Sequence, residues 1–291
     1  MEIIKFDSIY YPEKLRKIKN PPKQIYVLGD VKLLNKINFA IVGSRKCTSY
    51  GEKMAIKFAK ELSKYEINIV SGLALGIDTF VHKSTLEVNG KTIAVLPSGF
   101  NYIYPKSNEG LLKKIIKNKG CVISEYPINQ EPISENFLER NRIVCGISIG
   151  TLVVEGGARS GTSVTARLTK EQGKPVFCIP SSLENKKGYT TNLLIKKGAF
   201  LVTDINDIIQ KFEYIEFSKN GNYIDKNNRE KLINSTYKNN KIYKCLLSGS
   251  KNINQIIQET KLPIGEINYS LMLLQMEQKI LELPGGNYKI I

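Results

Sequence analysis

Between residues 38 and 212, short apolar runs alternate with helix-period segments, and few folds accept that rhythm. The runs fall at 39–42, 67–70, 92–96, 121–124, 151–154, 175–179 and 200–202. Amphipathic stretches lie between them at 50–65, 78–88, 111–119, 137–148 and 163–172. A strand covered on both faces reads as a continuous apolar run, and parallel neighbours need a long crossover between them. The alternation therefore predicts an α/β fold: a Rossmann-like, doubly wound, mostly parallel sheet with helices on both sides. Ligands on such sheets bind beyond the carboxyl ends of the strands.

Four segments follow. Residues 1–37 form an N-terminal lead-in, and the Pro-interrupted stretch 10–29 is expected to pack on the sheet edge. Residues 38–212 form the Rossmann-like domain, and 213–230 read as a polar, Asn-rich linker. Residues 231–291 show helical patterns at 238–247, 253–260 and 264–277, then two strands around Pro284-Gly285-Gly286-Asn287. That order predicts a small C-terminal winged-helix domain. A winged helix that reads DNA carries cations on the second helix of its turn unit. Segment 264–277 has none and carries Glu266 and Glu277, so a protein-interaction role is expected.

The loops after the strands hold the candidate site. Gly43-Ser44-Arg45 follows the first strand of this domain, and Ser71-Gly72 opens the loop after the second. Ser98-Gly99 follows the third, Glu125-Tyr126-Pro127 the fourth, 156–162 the fifth and Pro180-Ser181-Ser182 the sixth. Small residues let a ligand approach the backbone, and the N–H groups of the following helices point at it. Neither the dinucleotide pattern G-x-G-x-x-G nor a Walker A sequence occurs. Arg45 and Lys46 stand where a nucleotide-binding turn keeps small residues. Arg140, Asn141 and Arg142 are expected near the start of a helix facing the same region.

Charge points to the class of ligand. The formal net charge is +16, which suits a nucleic acid or another polyanion, although part of it is also what an ordinary lysine-rich surface gives. Beyond residue 212 cations exceed acids by only three, so +13 belongs to residues 1–212. Five cysteines are scattered with no C-x-x-C pair, and His82, one helical turn after Asp78, is the only histidine. A zinc site and a Ser-His-Asp site are thus unsupported, and no cofactor is expected. There is no long apolar run and no signal-peptide pattern, so a cytoplasmic protein with no membrane association is expected.

Taken in order, the motifs resemble those of the DNA-processing protein A family (DprA, also called Smf). The resembling pieces begin with Ile41-Val42-Gly43-Ser44-Arg45, Tyr50-Gly51, and Ser71 to Asp78 with His82. They continue with Pro97-Ser98-Gly99, Tyr104-Pro105 and Ser124-Glu125-Tyr126-Pro127. The most specific are Phe137-Leu138-Glu139-Arg140-Asn141-Arg142, and Val153-Val154-Glu155 with Ser160-Gly161-Thr162 and Thr165-Ala166. The resemblance implies a non-enzymatic single-stranded DNA-binding protein of natural transformation and recombination. It also implies a homodimer that protects incoming strands and helps load the RecA recombinase, including onto strands covered by single-strand-binding protein. Some relatives carry an N-terminal helical domain; with about 37 residues ahead of the first strand, that domain is expected to be absent or trimmed here.

The candidate DNA-binding residues are Gly43, Ser44, Arg45, Ser71, Gly72, Ser98, Gly99, Phe137, Arg140, Asn141, Arg142, Ser160, Gly161 and Thr162. The three arginines can neutralise phosphates and Phe137 can stack on a base. Phe137 can equally be a core aromatic, Asn141 a helix cap and Arg45 a salt-bridge partner. The rival enzyme class is the lysine-decarboxylase-like phosphoribohydrolases, whose P-G-G-x-G-T-x-x-E turn supplies a glutamate for hydrolysis. Thr165 occupies that position, and threonine cannot do acid–base work. Glu155 is a weak substitute, with nothing in the sequence to position it. A third class, a sensor of mononucleotides, would use the same loops.

Overall fold

The computed structural model describes residues 1–158, 160–212, 241–276, 279–283 and 285–290. The expected linker and Arg159 lie outside them. The chain divides into two compact units, residues 1–223 and 224–291.

The first unit is built on a nine-stranded sheet. Its strands are β1 (Glu2–Lys5), β2 (Gln24–Gly29), β3 (Asn38–Val42), β4 (Asn68–Ser71), β5 (Thr92–Val95), β6 (Cys121–Ser124), β7 (Thr151–Val153), β8 (Val176–Cys178) and β9 (Phe200–Leu201). Their spatial order is β1-β2-β6-β5-β4-β3-β7-β8-β9. From β6 to β9 every pairing is parallel, while β1 and β2 join antiparallel. This is the α/β, Rossmann-like, mostly parallel sheet expected from the alternation.

Each helix crosses between parallel strands: α2 (Ser49–Lys64), α3 (Ile77–Glu87), α4 (Glu109–Lys117), α5 (Ser134–Gly146), α6 (Gly161–Glu171) and α7 (Tyr189–Lys196), after a short α1 (Glu13–Arg16) in the lead-in. A further short helix, α8 (Asn206–Ile209), follows β9. The period of two along β3 shows why both faces are covered. Phe39 and Ile41 pack with Phe58 and Leu62 of α2, and Ala40 and Val42 pack on the opposite side with Ile143 and Val144 of α5.

The lead-in goes beyond packing on the sheet edge. Gly29 pairs with Cys121 and Glu2 with Val27, so β1 and β2 extend the sheet itself. Helix α7 and the short strand β9 complete the other edge.

The chain order of strands reverses at β3, which lies between β4 and β7. Crossovers leave toward β4 on one side and return at β7 on the other. The loops after β3 and β7 therefore diverge, and a crevice opens between them at the carboxyl end of the sheet.

The second unit holds α9 (Lys241–Leu246), β10 (Lys251–Asn252), α10 (Ile253–Thr260), α11 (Ile264–Met276), β11 (Ile280–Leu283) and β12 (Asn287–Ile290). Its three strands are antiparallel in the order β10-β12-β11 around a core of Ile242, Ile256, Ile267, Leu271, Leu274 and Ile280. Asn252 and Gln255 form a reciprocal capping box at the start of α10.

Candidate nucleic-acid interface

The crevice at β3 and β7 contains a cavity of about 810 Å³. One wall is the β3–α2 loop, with Gly43, Ser44, Arg45 and Lys46. A second is the start of α6, with Ser160, Gly161, Thr162 and Thr165, and Lys187 reaches in beside it. A third is α5 with the turn before it, supplying Pro132, Phe137, Leu138 and Asn141, and Tyr104 closes the rim. Gly72, Asp78 and Arg140 form the floor.

Ten of the fourteen candidates from the sequence meet here: Gly43, Ser44, Arg45, Gly72, Phe137, Arg140, Asn141, Ser160, Gly161 and Thr162. Ser71, Ser98, Gly99 and Arg142 do not line the cavity. The Ser71 hydroxyl donates to the Ile41 carbonyl and that of Ser98 to the Tyr102 carbonyl. Gly99 is a packing glycine, since a Cβ there would lie 2.0 Å from the Pro127 carbonyl oxygen. Ser98 and Gly99 belong to the end of β5, two strands from β3, whereas Ser71 directs its hydroxyl to β3 and leaves the cavity floor to Gly72 beside it. The loops at strand ends are alike in composition, and only the strand order tells which of them face the crevice.

Arg142 is engaged elsewhere. Its Nη2 pairs with Glu125 Oε2 at 2.5 Å, with both side chains largely buried. Burial raises the Glu125 carboxyl and the Arg142 charge opposes that rise. The run Arg140-Asn141-Arg142 sits in the middle of α5, not near its start. Successive residues on a helix point about 100° apart, so the two arginines cannot share a wall.

Arg140 is buried under the cavity, with 5% of its surface exposed. Its Nη1 donates to the carbonyls of Gly72 and Val95, and its Nε to Asn141 Oδ1. A Cβ on Gly72 would lie 2.4 Å from the guanidinium, so the glycine is what admits it. Burial pushes Arg140 down to about 10, the Asp78 charge opposes the fall and the Arg45 charge adds to it. Asp78 Oδ2 accepts the N–H groups of Gly72 and Ala74 at 3.0 and 3.3 Å. Burial raises Asp78, and Arg140 and those donors oppose the rise. The two charges thus brace the β4–α3 loop. His82, one helical turn after Asp78, is bonded through Nδ1 to the Thr92 hydroxyl at 2.7 Å.

The exposed cations lie above this floor. The Arg45 guanidinium covers the Phe137 ring at 4.9 Å, and Tyr104 meets the same ring edge-on at 5.4 Å. Among the described residues, no carboxylate pairs with Arg45, Lys46 or Lys187. The start of α6 is also open. Among the described residues, Ser160 makes no capping bond and its buried hydroxyl oxygen finds no partner, and the first turn holds no acid. Free N–H groups at a helix start, flanked by unpaired cations and an aromatic face, suit phosphates with an adjoining base. Asn141 lies mid-helix and caps nothing.

Lys187 and Tyr104 were not among the candidates. The signal for Lys187 was the Lys186-Lys187-Gly188 run before α7, which continues the loop after β8. Glu155 is positioned after all, but away from the cavity. It is buried, and its carboxylate accepts from Thr48 and Asn185. The Thr165 hydroxyl donates to the Gly161 carbonyl.

A family model described as DNA recombination-mediator protein A matches residues 2–213. Protein Smf of Escherichia coli is 40% identical over 212 residues, 73% of this chain and 57% of that protein. DNA processing protein DprA of Streptococcus pneumoniae is 39% identical over 204 residues, 70% of this chain and 72% of that protein. The X-ray structure of the latter superposes with a TM-score of 0.70 at 37% identity, covering 73% of this chain and 75% of that one. The structure of DNA processing protein A from Helicobacter pylori, described for its unique single-stranded DNA binding mode, gives 0.65 at 33% identity, covering 73% and 96%. The first of these relatives thus extends well beyond the part matched here. With the fold and the family-model match over residues 2–213 in agreement, this chain belongs to the DNA recombination-mediator protein A family.

Proposed function

We propose that this chain binds single-stranded DNA in the crevice at β3 and β7 and acts as a recombination mediator. In this reading it protects incoming strands during natural transformation and helps load RecA onto them, working as a homodimer in the cytoplasm. The observation that carries the reading is the stack of Arg45 on Phe137 beside the uncapped start of α6. Cation, ring and free N–H groups recognise what every nucleotide has, a phosphate and a π-face, and so give binding without sequence preference. The H. pylori relative, described by its single-stranded DNA binding mode, supports the same ligand.

The geometry favours binding over catalysis. The acid lining the cavity, Asp78, is buried and holds two backbone N–H groups. Thr165 occupies the place where a phosphoribohydrolase would carry its glutamate, and Glu155 faces Thr48 and Asn185. We read the second unit as a winged helix whose α11 lacks cations and serves a protein contact.

The test is an anisotropy titration with labelled oligo-dT and with duplex of equal length, at two salt concentrations. Preference for the single strand and a steep salt dependence are expected. Equal affinity for duplex, or competition by a mononucleotide as effective as by oligo-dT, would overturn the reading.

A further inference from the structure

Glu155 is a fully buried carboxylate that the proposed binding mode does not use. Burying a charge is costly, and a fold keeps one where strong donors satisfy it. Its donors come from two different loops. The Thr48 N–H and hydroxyl, at 2.9 and 2.5 Å, belong to the start of α2, next to Arg45 and Lys46. The Asn185 amide, at 3.3 Å, belongs to the loop that carries Lys187. Asn185 passes the constraint on: its Nδ2 also donates to the Ser181 hydroxyl at 2.8 Å, and its Oδ1 accepts the Lys187 N–H at 2.9 Å. The next residue along the chain from Glu155 closes the circuit, because the Gly156 N–H donates to the Lys187 carbonyl at 2.7 Å.

We infer that Glu155 is a positioning residue that sets the separation of the two cationic walls, one bearing Arg45 and Lys46 and the other Lys187. This rests on the reading of the crevice as the DNA site. The carboxylate never meets the strand; it acts through Thr48 and Asn185. Gly51 makes room for it, since a Cβ there would lie 2.4 Å from Glu155 Cδ.

The sign of one substitution separates positioning from charge. Glu155→Gln removes a negative charge close to a cationic site, so electrostatics alone predicts tighter binding of a polyanion. Positioning predicts weaker binding, because the Gln amide must turn an N–H group toward a donor and release one loop. A loss of about tenfold in oligo-dT affinity is expected, the scale of one charge-assisted hydrogen bond. Gly51→Ala, which leaves Glu155 in the sequence but displaces its carboxylate, should give the same loss. Leu62→Ala, a core truncation within α2, serves as the control for stability loss alone and should leave affinity unchanged.

Arg45→Ala and Lys187→Ala report on the crevice itself. If both weaken binding while Glu155→Gln and Gly51→Ala leave it unchanged or tighten it, the positioning role is overturned and the crevice stands. If neither weakens binding, the crevice reading fails and the positioning role falls with it. If Leu62→Ala weakens binding as much as Glu155→Gln, the effect is one of stability and the inference is likewise overturned.

Discussion

The Arg45 guanidinium lies 4.9 Å from the centroid of the Phe137 ring, so the two main candidates for contact with a nucleotide already hold each other. A base that stacks on Phe137 must share the ring with Arg45 or displace it. The two side chains therefore act as one unit. Arg45→Ala and Phe137→Ala should each weaken oligo-dT binding by roughly 1–3 kcal/mol. The double variant should fall short of the sum by about 0.5 kcal/mol or more, as residues in contact do. Full additivity in an anisotropy titration would mean that the stack breaks on binding and contributes nothing to recognition.

Arg140 makes a different prediction. Its guanidinium serves the Gly72 and Val95 carbonyls from a buried position and lies near the buried Asp78. Arg140→Ala leaves these carbonyls without a donor and Asp78 without an opposing charge, at a cost of about 3–5 kcal/mol. The expected outcome is a lower unfolding midpoint in urea, with lost binding as its consequence. Arg140→Ala that kept wild-type stability while losing DNA would instead make Arg140 a direct phosphate contact.

Arg140 and Arg142 also show how far the sequence reaches. Strand–helix alternation gives the sheet, and the apolar runs give the strands, because four or five consecutive apolar residues between turn signals suit a strand buried on both faces. Gly43, Arg45, Phe137 and Gly161 are legible as a site because they sit at strand ends or on a helix close to them. What is not legible is which strand ends are neighbours. Ser98 and Gly99 share the composition of Gly43 and Ser44 but belong to the other side of β3. Arg142 is two residues from Arg140, and the helical turn sends it to Glu125. Lys187 lies far along the chain from Arg45 and reaches the crevice only because β8 is next to β7. Strands β1 and β2 escape notice because lysines and prolines flank short apolar stretches there.

Lys187 and Arg142 should therefore exchange the roles that the sequence suggests. Lys187 lines the cavity and no carboxylate among the described residues pairs with it. Lys187→Ala should weaken oligo-dT binding and lower the slope of log affinity against log salt by about 1. Arg142→Ala should leave both affinity and slope unchanged and lower stability, because the largely buried Glu125 carboxylate loses its partner. A salt slope that fell with Arg142→Ala and held with Lys187→Ala would reverse the assignment.

His82 gives a prediction about pH. Its Nδ1 is bonded to the Thr92 hydroxyl, which itself donates to the Ile69 carbonyl, so the network assigns the proton to Nδ1. Nε2 is buried with no partner among the described residues. Protonation would place a second N–H there without an acceptor, and burial together with the Arg140 charge pushes His82 down to about 3. The unfolded chain takes up that proton near pH ~6.5. Below that value the unfolded state binds more protons than the folded one, so His82 lowers stability as the pH falls from ~6.5 toward 3, with a limiting slope of about 1.4 kcal/mol per pH unit. Asp78 works in the other direction, because a carboxyl raised by burial takes up its proton in the folded state first. Comparison with His82→Asn removes that common contribution. The Asn amide keeps a donor for Thr92 and does not titrate, but it is smaller than the fully buried imidazole and leaves a cavity, so the variant should be less stable than the wild type at pH 7. The gap should close on acidification by about 1 kcal/mol per unit below pH ~6. Urea midpoints at pH 7, 6, 5 and 4 measure this, and a gap that stayed constant across the series would mean that His82 is protonated in the folded protein as readily as in the unfolded chain.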